Sequence, residues 1–129
     1  MALNRALRLR KSSDFQRVRQ QGRVVSSRLL ILAWAPNNLS GLRVGFVVSK
    51  RVSKHAVERN YLKRLLGEAI RPMLADIPTG WDIVISARSQ TIGADLRILI
   101  QDVATLLRRA HLLESAKTTE VENAQRLQQ

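Results

Sequence analysis

Residues 49–71 read SKRVSKHAVERNYLKRLLGEAIR, and the apolar spacing in this stretch predicts an amphipathic helix that begins at about Lys54, with Ser53 as its cap. At about 100° per residue, one face of this helix is apolar and comprises Leu62, Leu65, Leu66, Ala69, Ile70 and Met73. The opposite face mixes cations, an amide and two residues of minimal bulk, namely Ala56, Asn60, Lys63, Arg64, Gly67 and Arg71. Short side chains between cations let a bulky anion approach the helix axis. We therefore expect the first face to pack in the core and the second to contact a phosphate backbone.

Two further helices are predicted on either side of this one. The first begins at Ser13, where Gln16 completes a capping box, and stops before Gly22. The last covers residues 94–110, where apolar residues recur at helical spacing. Pro72 should kink or end the central helix because proline lacks a backbone N–H.

Three segments have the composition of strands. Residues 23–35 are rich in Val, Leu and Ile and divide into two strands. In residues 42–49, Val44, Phe46 and Val48 alternate with the residues between them and so lie on one side of a strand. Residues 81–87 contain the run Ile83-Val84-Ile85, which suits a strand buried on both faces. The resulting order, α-β-β-β-α-β-α, predicts an α+β fold, an α/β sandwich built on a small mixed four-stranded sheet. The central helix lies between two strands and is therefore a crossover, for which the general expectation is a right-handed connection.

The length of 129 residues predicts a single domain, over residues 1–113. Residues 1–11 are expected to form a flexible basic arm that orders on a polyanion, its cations being Arg5, Arg8, Arg10 and Lys11. Residues 114–129 are polar, lack periodicity and are predicted to be disordered.

The net charge of +12 is concentrated in the first half of the chain. Residues 1–71 carry 16 basic and 3 acidic side chains, whereas residues 72–129 carry 6 basic and 7 acidic ones. Such segregation indicates a basic surface rather than uniform solubilising charge, and nucleic acid is the usual partner of such a domain. An anionic membrane surface is the weaker alternative.

Several kinds of chemistry are missing from the sequence. There is no cysteine, no apolar run long enough to span a bilayer and no apolar core of a signal peptide, so we expect a cytoplasmic protein. The two histidines are far apart, and the carboxylates Asp76, Asp82, Asp95 and Asp102 are scattered over separate elements. This pattern predicts no metal site and no catalytic residue in the protein, and it disfavours an autonomous metal-dependent nuclease.

The run from Val48 to Arg71, with A-V-E-R-N-Y-L-K-R at its centre, resembles the RNR motif of bacterial ribonuclease P protein subunits. Further segments resemble that family in the same order: Leu9-Arg10-Lys11 before Asp14-Phe15, Gly22 to Arg28, Arg43-Val44-Gly45, and Trp81-Asp82-Ile83-Val84. The resemblance covers roughly residues 5–113.

The resemblance implies the protein subunit of a ribonucleoprotein endonuclease that removes the 5′ leader of precursor tRNA. The chemistry would be carried out by a catalytic RNA, with Mg²⁺ as the cofactor bound mainly by that RNA. The partners implied are the catalytic RNA and the precursor tRNA leader, with no membrane and no obligate protein partner. The family's crossover around the central helix is left-handed, against the general expectation.

The family's RNA-contacting positions carry over to this sequence residue by residue. The set expected to bind the catalytic RNA is Lys50, Arg51, Lys54, His55, Arg59, Asn60, Tyr61, Lys63, Arg64 and Arg71. For His55, a phosphate contact and a plain surface position remain open, and Arg59 projects so close to the apolar face that it should also brace the fold. A separate cleft, formed by the first helix and the open face of the sheet, would hold the leader through Lys11, Phe15 and Arg19.

The sequence departs from the family's pattern at three positions. Tyr61 stands where the motif has its second arginine, so a charge is replaced by a ring that could stack on a base or ribose. Arg19 and Ala33 stand where the family often has further aromatics of the leader cleft. We therefore expect leader binding here to depend more on charge than on stacking. The alternative function is a general RNA-binding or ribosomal-type protein with no role in tRNA processing.

Overall fold

A four-stranded mixed sheet divides the protein into two layers of unequal size in the computed structural model, which describes residues 7–114. The elements follow the predicted order: α1 Ser12–Gln21, β1 Arg23–Ser26, β2 Leu30–Pro36, β3 Arg43–Val47, α2 Ala56–Ile70, β4 Trp81–Ala87 and α3 Leu96–Arg109. The α+β fold class is confirmed. A 3₁₀ helix, Arg71–Asp76, follows α2 directly, so Pro72 ends the α-helix as expected.

The strands lie in the order β1-β2-β4-β3. The first two pairings are antiparallel, and β3 pairs with β4 in parallel. Because α2 connects these two parallel strands, it is the predicted βαβ crossover. The left-handedness of that crossover stays a prediction.

The larger layer forms where α2 and α3 pack on one face of the sheet. Leu66 and Ile70 of α2 meet Leu99 and Leu107 of α3 above Ile83 of β4, and all five side chains are fully buried. The apolar face predicted for residues 49–71 is therefore the core face of α2. Burial of this many large aliphatic side chains is the main driving force for the fold.

The other layer consists of α1 on the opposite face of the sheet. Val18 is fully buried against Ala33, Ala35 and Val84. Since two of these three sheet residues are alanine, the helix backbone can approach the sheet closely. The remainder of this sheet face stays uncovered by α1.

Both predicted helix caps are wrong. The residue before α1 is Lys11, which makes no side-chain cap, and Ser13 lies inside the helix. The residue before α2 is His55, and the Ser53 hydroxyl instead accepts a hydrogen bond from the His55 backbone N–H at 3.2 Å. Ser53 thus closes the turn before α2, and His55 occupies the cap position instead.

The N-terminal segment corrects a second expectation. Leu9 is buried, and its backbone N–H donates to the Val44 carbonyl at 2.9 Å, while Arg8 bridges to the same residue in parallel. Arg8 and Leu9 therefore pair with the edge of β3 in the protein by itself. Leu9 is an apolar anchor in a segment that is otherwise dominated by Arg and Lys, and it is this anchor that the composition does not reveal. The rest of that prediction, and the predicted tail beyond Glu114, lie outside the described residues.

A buried carboxylate joins α1 to the sheet. The Asp82 side chain is completely buried on β4, where it accepts hydrogen bonds from Arg43 Nε and Nη2 at 2.8 and 2.7 Å and from Asn37 Nδ2 at 3.0 Å. Arg17 of α1 pairs with the same carboxylate and donates to the Pro36 carbonyl at 2.9 Å. The sequence placed Asp82 among scattered carboxylates, so this cluster, which we call the Asp82 clamp, was not predicted.

The clamp keeps Asp82 ionised. Burial by itself raises the pKa of Asp82, but hydrogen bonds from Arg43 and Asn37, together with the charges of Arg43 and Arg17, outweigh it and hold the pKa below its ordinary value. The same hydrogen bond raises the pKa of Arg43, against the opposing effect of its own burial. Because the folded-state pKa of Asp82 is depressed, its contribution to stability is present above the ordinary carboxyl pKa and is lost as the pH falls below it.

We predict that Asp82→Asn destabilises the protein at pH 7 by about 2–4 kcal/mol, less than for a fully buried ion pair because both arginines keep some contact with water. The measurement is urea unfolding between pH 7 and pH 2.5. The difference between the natural protein and the variant should be constant near neutrality and shrink below about pH 4. Asp76→Asn, at an exposed carboxylate, is the control and should change stability by less than about 0.5 kcal/mol. A pH-independent difference would contradict the ionised clamp.

Candidate nucleic-acid interface

A groove of about 1480 Å³ lies between the polar face of α2, the edge of β3 and the segment that leads into α1. Its cationic and imidazole side chains come from both walls: Arg8, Arg10, Lys54, His55, Lys63 and Arg64. Among the described residues that line it, Glu58 is the acidic one, and it is half-buried. A groove of this size and charge suits a strand of polyanion.

The polar face of α2 points into this groove as the sequence predicted. Asn60, Lys63 and Arg64 are exposed and line it, with Ala56 and Gly67 beside them. Gly67 is itself buried, so it forms part of the wall behind the cations. The face therefore combines outward charge with little bulk near the helix axis.

Arg59 has a structural contact. Its side chain is half-buried, and Nη1 donates to the Ser53 carbonyl at 3.0 Å. This hydrogen bond ties the first turn of α2 to the loop before it, which agrees with the bracing role that the helix spacing indicated. Arg59 does not line the groove.

Three other predicted RNA-contacting residues also lie outside the groove. Lys50 and Arg51 are exposed in the loop before α2, and they extend the basic surface away from the groove's lining. Arg71 is exposed at the far end of α2, where Nη1 lies 3.5 Å from Glu68 Oε1. Six of the ten residues predicted to bind the catalytic RNA therefore line the groove: Lys54, His55, Asn60, Tyr61, Lys63 and Arg64.

Phe15 connects this groove to the predicted leader cleft. The ring is half-buried and lines the groove at the start of α1, where it packs on Gly45. A Cβ on Gly45 would lie 2.5 Å from Phe15 Cε1, and closer still to Cζ, so the missing side chain is what lets the ring lie on the sheet. Phe15 therefore borders the basic groove, and the separate leader cleft stays a prediction.

Lys11 and Arg19 are exposed and do not line the groove. Arg19 lies four residues after Phe15, so helical spacing places both on the same side of α1. Ala33 is buried beneath α1, while Val24 and Ile31 on the same sheet face are 53% and 36% exposed. The uncovered part of this face is therefore aliphatic.

Sequence reasoning missed the contribution of residues 8–10 to the groove wall. Arg8 and Arg10 line it on either side of the buried Leu9. The alternation of charged and apolar residues has the period of a strand and was the signal that could have identified them. Within residues 7–114, no group of three or more His, Cys, Asp or Glu side chains is placed to hold a metal ion.

Comparison with known proteins gives one family. The ribonuclease P family model matches residues 3–111. The chain is 42% identical over 120 residues to the ribonuclease P protein component of Chloroflexus aggregans, covering 92% of this chain and 88% of the relative. It is 45% identical over 112 residues to that of Chloroflexus aurantiacus, covering 86% and 82%.

Solved structures agree in fold. The Staphylococcus aureus RNase P protein superposes with a TM-score of 0.76 at 27% identity, over 85% of this chain and all of that one. The Thermotoga maritima RNase P protein gives a TM-score of 0.71 at 28% identity, over 79% of this chain and 96% of that one.

We predict that Gly45→Ala destabilises the protein by about 1–3 kcal/mol, because the added methyl group overlaps the Phe15 ring, which must shift, and lies 3.1 Å from Cβ of the buried Leu9. Equilibrium unfolding of Gly45→Ala, Phe15→Ala and the double variant measures the effect. In the double variant the clash is gone, so its loss should be smaller than the sum of the single losses. Additive losses would show that the ring does not depend on Gly45.

Proposed function

The chain belongs to the ribonuclease P protein family, and on this premise we propose that its basic groove binds the catalytic RNA and the 5′ leader of precursor tRNA. As a member of that family it is the protein component of a ribonucleoprotein endoribonuclease, and it acts in tRNA processing. The observation that carries the proposal is the groove itself, in which residues of the central motif and Phe15 line one surface.

The proposed contacts follow the chemistry of each side chain. Lys63 and Arg64 supply charge to phosphates, and the guanidinium of Arg64 can hold a phosphate through two hydrogen bonds. Asn60 can donate and accept, which suits phosphate or ribose. Lys50 and Arg51, on the adjoining loop, would extend the phosphate contacts beyond the groove.

The leader is assigned to the side of the groove formed by α1. Phe15 offers a half-buried ring, and Lys11 and Arg19 are exposed cations on or next to the same helix. The uncovered sheet beyond them presents aliphatic side chains at Val24 and Ile31. This composition supports leader binding that depends on charge more than on aromatic stacking.

Magnesium is proposed to belong to the RNA. The described part of the protein offers no cluster of ligands for a metal ion, and among the charged residues that line the groove the Arg and Lys side chains outnumber the single carboxylate, so the charge of the groove repels Mg²⁺. When bound to the RNA, the ion would supply the activated water and the stabilisation of the leaving oxygen. The residues of this chain would bind and orient the two RNAs.

We place the protein in the cytoplasm with the two RNAs as its partners, and no obligate protein partner is proposed. No helix within residues 7–114 is long and apolar enough to cross a membrane.

Reconstitution tests the function against its alternative, general RNA binding without tRNA processing. We expect cleavage of precursor tRNA at low magnesium only when the protein and its catalytic RNA are both present. The measurement is release of the 5′ leader over time, with protein alone, RNA alone and the two together. Binding without stimulation of cleavage would favour the alternative, and cleavage by the protein alone would show an autonomous nuclease.

The salt dependence of RNA binding tests the groove. If about five phosphates are neutralised, the slope of log affinity against log salt should be about −3.5 to −4.5. Arg64→Ala should weaken binding and make the slope shallower by about one unit, with the fold intact. The control is Arg97→Ala, which removes an exposed cation of α3 outside the groove and should leave the slope unchanged. An unchanged slope in the Arg64 variant would remove that residue from the interface.

A further inference from the structure

Two apolar side chains stand exposed within the cationic groove. Val57 is 83% exposed and Tyr61 is 52% exposed, and both line the groove on α2. They are four residues apart, so they are neighbours on one side of the helix. Together they place a small apolar surface among the cations of the groove.

Nothing within the described chain accounts for the position of Tyr61. Half of the side chain is open to the groove, and its hydroxyl makes no hydrogen bond to another described residue. A tyrosine that served the fold would bury its ring or find a partner for its hydroxyl. The side chain is therefore free to meet a ligand in the groove.

The surroundings indicate what that ligand is. Next to Tyr61 along the helix, Asn60 offers an amide, and Lys63 and Arg64 offer charge toward the same groove. A flat π-face beside phosphate-binding cations is the arrangement by which proteins hold unpaired nucleotides. A duplex would present its phosphates and keep its bases stacked inside, so it could not use the ring.

We propose that Tyr61, supported from one side by Val57, stacks on the base of one unpaired RNA nucleotide whose flanking phosphates contact Lys63 and Arg64. The inference deepens the proposed RNA-binding function and rests on it. It also accounts for the absence of the motif's arginine, because a stacking contact takes the place of a charge contact. The contribution of this stacking contact to RNA affinity should then be insensitive to salt, whereas the contribution of the phosphate contact at Arg64 should fall as salt rises.

The chain has a single tyrosine, so labelling with 3-fluorotyrosine gives one ¹⁹F resonance that reports on this ring alone. We expect that resonance to shift when RNA is added. Three RNAs distinguish the source of the nucleotide: the catalytic RNA alone, a precursor tRNA with its leader, and the same tRNA without the leader. A shift with the catalytic RNA assigns the base to that subunit, and a shift that requires the leader assigns it to the substrate.

Variants separate stacking from the other properties of tyrosine. Tyr61→Phe should keep affinity within about twofold, whereas Tyr61→Leu should lose about 5- to 150-fold, the range measured for one stacked base. Neither variant should change the salt slope, and Tyr61→Arg should steepen it by up to about one unit. Leu39→Ala is the matched control, because Leu39 is 53% exposed in a turn away from the groove, and it should bind RNA normally.

The outcomes distinguish this proposal from the function on which it rests. If RNA binds with the expected salt slope while the ¹⁹F resonance stays in place and Tyr61→Leu binds normally, stacking is overturned and the groove remains an RNA site. If no RNA binds, the proposed function fails and the stacking contact fails with it. Circular dichroism of each variant confirms that the fold is unchanged.

Discussion

The Asp82 clamp is the constraint on which the arrangement of this protein depends. A carboxylate with no exposure to water is held on β4 by Arg43 of β3, by Asn37 of the turn after β2 and by Arg17 of α1. Hydrophobic packing of Val18 on small sheet residues brings α1 to the sheet, but such packing is tolerant of sliding. The directional hydrogen bonds and opposite charges of the clamp fix the position of α1 on the sheet.

The position of α1 has consequences for the interface. Asp14 Oδ2 lies 3.5 Å from Nη1 of Arg43, so Asp14 is also paired with a residue of the clamp. Phe15 is the next residue along α1. The ring consequently lies over Gly45 at the border of the groove that α2 shapes from the other side. The electrostatic cluster that joins α1 to the sheet thus also fixes the end of α1 that carries Phe15.

In the proposed function the protein positions RNA and supplies positive charge. Where its sequence departs from the family's motif, the expected RNA contact differs in kind and stays at the same place on the surface. Tyr61 lies in the groove at a position where the resembled motif has an arginine. Under the proposals above, Tyr61 supplies a stacking contact on α2, while Phe15 and Arg19 supply a ring and a charge on α1.

The sequence alone determined the order of elements, the core face of α2 and the outward direction of Asn60, Lys63 and Arg64, because these follow from local periodicity. It also identified the family, since the central motif is long and specific. Only the tertiary structure decided that Leu9 pairs with β3, that Asp82 is a buried clamp and that Phe15 joins the groove of α2. Each of these depends on residues distant in the chain, such as Asp82 and Arg17 or Phe15 and Gly45, and local spacing carries no information about which distant partners meet. The predicted cap at Ser53 failed for a local reason, since its hydroxyl accepts from the backbone N–H of His55, and α1 already includes Ser12 and Ser13.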